Sequence, residues 1–109
     1  MAYDEGLAEV LRSHLGDETG ISERRMFGGL CFMKNGNMVC GVHEKGGMAR
    51  VGKAAEAEAL KIPGVAPLSF TGRKMGGMVD VADDTFADDA LRGQIVSMAL
   101  AYASSLPEK

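Results

Sequence analysis

Apolar positions along this chain change their period several times, and each change marks an element. In residues 4–15, Leu7, Val10, Leu11 and Leu15 recur at helical spacing, with Asp4 and Glu5 at the end where a helix dipole favours anions. Gly16 supplies a natural stop, and residues 16–23 read as a polar loop anchored by Ile21. Over residues 25–51 short apolar runs alternate with Gly- and Asn-containing breaks. Asn35-Gly36 is the clearest break, because a type I′ hairpin turn needs positive φ at both central residues. With that turn, Lys34 faces Asn37, Met33 faces Met38, Phe32 faces Val39 and Cys31 faces Cys40. A second hairpin around residues 44–47 sets His43 against Met48.

The two-residue period of a strand then sorts the side chains. Cys31, Met33, Met38, Cys40, Val42, Ala49 and Val51 form one apolar face, expected to pack on helices. Leu30, Phe32, Lys34, Val39, His43, Met48 and Arg50 form a mixed face, expected to be partly solvated or partly covered. Residues 53–61 are a short helix by propensity, ended by Pro63-Gly64. Residues 67–81 predict two more strands around a Gly-rich loop. Asp83, Asp84 and Asp88 cluster near the start of a last helix over residues 86–105, striped by Leu91, Ile95, Met98, Ala99 and Tyr102. Pro107 closes it. The predicted order is α-βββ-α-ββ-α, an α+β fold with an antiparallel β-sheet of about five strands and helices packed on it.

Length and composition narrow the class. The 109 residues suit a single domain over 1–109, since either half would fall below the size that folds unaided. An apolar share of 46% with 25% charged residues is globular, not disordered. Eight Met stand beside four Phe, two Tyr and no Trp, so flexible thioethers replace rings as core filler. A more adaptable, contact-making role is open only to Met48, Met75 and Met78. The N-terminus has early acids and no apolar stretch of a secretory signal, and no apolar run approaches a membrane span. A cytoplasmic protein is expected.

The net charge is −3, which argues against strong binding to phosphate backbones. Its distribution is uneven: −5 over residues 1–23, +6 over 24–74 and −4 over 75–109. The basic middle either meets a partner or is covered by the acidic ends. Two basic doublets, Arg24-Arg25 and Arg73-Lys74, each beside a Gly-rich turn, are the candidate partner contacts.

Cys31 and Cys40 are the candidate redox pair, because the hairpin register sets them directly opposite at a spacing near the lower limit for a disulfide. The alternative is a pair of reduced thiols acting as small hydrophobes. Cys40-x-x-His43 has the outline of half a metal site, with Cys31 and His14 as further ligands. Strand positions three apart point to opposite faces, so neither a metal site nor a catalytic Cys–His pair is expected. The glycines of residues 26–29 and 72–77 lack the Lys-Ser/Thr ending of a nucleotide loop and are read as turns and bulges. No cofactor is expected.

Met26-Phe27-Gly28-Gly29, Asn35-Gly36-Asn37-Met38, Arg50-Val51-Gly52, Phe70-Thr71-Gly72-Arg73-Lys74-Met75 and the ending Ala101-Tyr102-Ala103-Ser104-Ser105-Leu106-Pro107 occur in an order and spacing that resembles the N-terminal domain of the TfoX/Sxy family. The resemblance covers essentially the whole chain and implies an α+β domain with the element order read above. It implies no catalytic residues. The family's namesakes are competence regulators that act with a cAMP-responsive transcription activator and carry a second, helical domain. This chain is expected to be a stand-alone version. The expected function is a non-enzymatic binding module working through protein contacts, as a monomer or weak homodimer. The alternatives are a direct nucleic-acid binder and a small redox-responsive or ligand-binding protein using Cys31 and Cys40.

Overall fold

A computed structural model of the chain describes residues 3–26, 28–70 and 73–107. Asp4 opens helix α1 (Glu5–His14) by accepting the Leu7 N–H at 3.1 Å, which satisfies one of the free donors of the first turn. Strands β1 (Ile21–Met26), β2 (Gly29–Lys34), β3 (Asn37–His43) and β4 (Gly46–Arg50) follow as a meander. Helix α2 (Lys53–Ala59) leads to β5 (Val65–Phe70) and β6 (Arg73–Ala82), and α3 (Asp83–Ala87) and α4 (Asp89–Ser104) complete the order. The six strands form one antiparallel sheet in the order β1-β2-β3-β4-β6-β5.

The Asn35-Gly36 turn is present, with φ of 51° and 84°. The strand register beyond it departs from the simple hairpin. Met33 pairs with Met38 as expected, but Phe32 pairs with Cys40 and Cys31 with Gly41. Val39 is the extra residue of a β-bulge, and a one-residue slip exchanges faces for everything past it. Leu30, Phe32 and Val39, expected on the mixed face, therefore join the core beneath the helices. There they meet Leu7, Leu11, Phe86, Ile95 and Val96. Cys31, Met33 and Met38, expected against the helices, lie in a second cluster with Met48, Leu68 and Met78. Cys40, Val42, Ala49 and Val51 do pack on the helical side.

Both faces of the sheet are thus buried over β2, β3 and β4. Every member of the second cluster is at most 6% exposed, so of the two expected alternatives, partly solvated or partly covered, the cover is the one found here. Four of its six residues are Met, consistent with thioethers filling a space that few rings are available to fill.

Two elements differ from the sequence expectation. The expected loop at 16–23 ends in β1, a sixth strand. Only Ile21 of residues 21–25 is even partly buried, so an edge strand here carries no alternating apolar signal. The expected helix at 86–105 is two helices. Asp88 has extended backbone and its carboxylate accepts the Leu91 N–H at 3.0 Å, which starts α4 afresh.

Candidate functional site

The candidate contacts fall on β1 and β6. Arg24 stands opposite Cys31 and Arg25 opposite Leu30. Because successive side chains alternate, Arg25 lies on the helical side of the sheet and Arg24 on the other. Both are exposed, and neither guanidinium has a hydrogen-bond or ion-pair partner among the described residues. Their neighbour Glu23 is engaged: Arg12 of α1 holds it through Nε and a second guanidinium nitrogen at 2.6 and 3.0 Å, and also reaches Glu9 at 2.7 Å. This pairing holds the Glu23 carboxyl below its ordinary pKa. With Glu23 neutralised, the outer part of β1 is locally cationic.

Arg73 and Lys74 open β6 opposite Phe70 and Ser69. Their side chains lie outside the described residues. Strands β2, β3 and β4 stand between β1 and β6, so the strand order does not bring the two basic doublets side by side.

Cys31 and Cys40 are free thiols in different clusters. The bulge removes the direct cross-strand opposition on which the redox pairing was based. Burial pushes the Cys31 thiol up to about 11 and, with a contribution from Cys31, the Cys40 thiol up to about 12. A reactive thiol needs the opposite shift, since the thiolate is the nucleophile.

Three polar constellations were not singled out by the sequence. His43 Nε2 lies 2.7 Å from Asp80 Oδ1, while its Nδ1 accepts the Lys45 backbone N–H at 3.1 Å. With Nδ1 accepting, the proton sits on Nε2 and is donated to the carboxylate. The pair spans from β3 to β6 across β4 and belongs to the strand ends. Asp80 interrupts the apolar run Met78-Val79-Asp80-Val81, which is the signal that could have flagged it. Arg92, 8% exposed, donates to His14 Nδ1 at 3.1 Å, to the Phe86 carbonyl at 3.0 Å and to Asp89. It thereby ties α1, the end of α3 and α4 together. A groove of about 290 Å³ between α1 and α3 is lined by Asp4, Leu7, Val10, Asp83, Asp84 and Ala87. Asp4 and Asp83 spend an oxygen each on local backbone N–H groups there.

Among the described residues, no three His, Cys, Asp or Glu side chains converge to hold a metal ion. Nor, among the described residues, is any helix long and apolar enough to cross a membrane. Residues 13–103 match the family described as TfoX N-terminal domain, which covers most of the chain. The chain belongs to the TfoX N-terminal domain family, a family of regulatory or binding modules. The comparison with curated proteins and the comparison with solved structures each return no match.

Proposed function

We propose that this protein is a non-enzymatic binding module that acts through protein contacts in transcription or competence regulation in the cytoplasm. The observation that carries the reading is the family match over residues 13–103. The exposed Arg24 and Arg25 on an edge strand, without partners among the described residues, support it, because they offer charge to a partner. The buried, proton-retaining thiols and the His43–Asp80 contact do not form a nucleophile with an adjacent base among the described residues. The partner class is a transcription activator of the cAMP-responsive type.

The test is a set of three titrations of the purified protein: with that activator, with promoter DNA, and with both together. A protein-contact module binds the activator without DNA and leaves DNA alone unbound. Binding to DNA alone that weakens by orders of magnitude over a few-fold rise in salt would replace this reading with direct nucleic-acid binding. Replacing Arg73 and Lys74 with Ala weakens activator binding if the second doublet is part of the surface, and leaves it unchanged if it is not.

A further inference from the structure

We infer that β1 is a docking edge that takes up an extended acidic segment of another protein as a seventh strand. The inference rests on the protein-contact reading above and adds the surface and the chemistry of what it binds.

The backbone supplies the first observation. β1 is the terminal strand of the sheet and lies along β2 alone. The Asn35 N–H donates to the Gly20 carbonyl at 2.9 Å, which fixes the phase of the ladder between β1 and β2. In an antiparallel pair the backbone groups of successive residues point alternately toward and away from the partner strand. Ser22 and Arg24 therefore face β2, and Ile21, Glu23 and Arg25 direct N–H and C=O outward. Three donors and three acceptors form an open rim, the template for strand addition. The opposite edge of the sheet is different. Pro67 sits within β5 and has no N–H to offer, a common way of blunting an edge.

Charge supplies the second observation. Glu23 is already held by Arg12, and Arg24 and Arg25 project to opposite faces without partners among the described residues. Two consecutive residues of an added strand also project to opposite faces. An acidic pair in sequence would thus place one carboxylate beside Arg25 on the helical side and one beside Arg24 on the other.

A second copy of this chain meets like charge where its pairing centres on the two arginines. Symmetric antiparallel pairing must centre on one residue, because paired residues share the same backbone phase. Centring on Arg24 or Arg25 sets that charge directly against its own copy, whereas centring on Ile21 or Ser22 does not. The same two arginines that discourage self-pairing attract a strand of opposite charge.

The probe is a fluorescent eight-residue peptide of β-branched residues with a central Glu-Asp pair. Its controls are the Lys-Lys version and a Glu-Asp version N-methylated at alternate amides. The acidic peptide binds at least about tenfold more tightly than the Lys-Lys peptide, and Arg24→Glu with Arg25→Glu inverts that order. On binding, hydrogen exchange slows at the amides of Ile21, Glu23 and Arg25, while Ser22 and Arg24 are already protected. Absence of binding, equal affinity for both charges, indifference to N-methylation, or unchanged exchange at those three amides each overturns the inference. Activator binding that survives Arg24→Glu/Arg25→Glu also overturns it and leaves the module reading intact. A chain that binds the acidic peptide through this rim but not the activator keeps the edge and loses the regulatory assignment.

Discussion

At Gly47 a Cβ would lie 2.3 Å from the Phe86 ring, the bulky core residue of α3. No rotamer of a fully buried Phe can retreat that far without disturbing its neighbours. Gly47→Ala is expected to cost about 1–3 kcal/mol in urea unfolding, through overpacking. The two thiols make a prediction of a different kind. Their folded pKa values lie above the unfolded value of 9.0, so between about 9 and about 11 to 12 the folded state holds protons that the unfolded state has lost. The contribution of the thiols is constant well below pH 9, and stability falls as pH rises through that window. Chemical unfolding from pH 8 to about 11 checks this: the Cys31→Ala/Cys40→Ala double variant loses stability less steeply than the parent. By contrast the Arg12–Glu23 pair is exposed, and Arg12→Ala is expected to cost under about 1 kcal/mol in the same assay.

Among the elements, those announced by local rules were legible and those set by neighbours were not. Asn35-Gly36 declared its turn because only a few residues accept positive φ, and α1 declared itself through Leu7, Leu11 and Leu15. The bulge at Val39 was invisible, because Val suits a regular strand as well as a bulged one. That single residue moved Leu30 and Phe32 beneath the helices and separated Cys31 from Cys40, so the candidate redox geometry changed with it. Strand β1 was hidden for the opposite reason: an edge open on both faces needs no apolar alternation. The basic doublet Arg24-Arg25 was legible, but its split across two faces required the strand to be known. Asp88 shows the same limit at a helix boundary. Read as one acid in a cluster, it is in fact the cap that begins α4. Asp88→Ala is expected to cost about 1 kcal/mol, seen as a lower midpoint in thermal unfolding.

Over the whole molecule, charge and burial divide the labour. Apolar side chains on both faces of the sheet are consumed by the core, leaving Val10 as the large apolar side chain among the described residues that is exposed. What the surface offers a partner is therefore backbone and charge. The acidic ends are partly used within the chain, as where Asp4 and Asp88 cap helices and Glu23 pairs with Arg12. Among the described residues the cations of β1 are not used in that way, although the net charge is −3. On the proposed reading, an overall acidic protein with a local cationic edge would disfavour a long polyanion and accept a short acidic segment. The most direct measurement is a calorimetric titration of the cAMP-responsive activator, freed of nucleic acid with nuclease, into the purified chain and into its Arg24→Glu/Arg25→Glu variant. A protein-contact module gives a saturable complex with the parent chain and a markedly weaker one with the variant. No heat with the parent, while promoter DNA alone binds it in a salt-sensitive manner, would contradict that assignment.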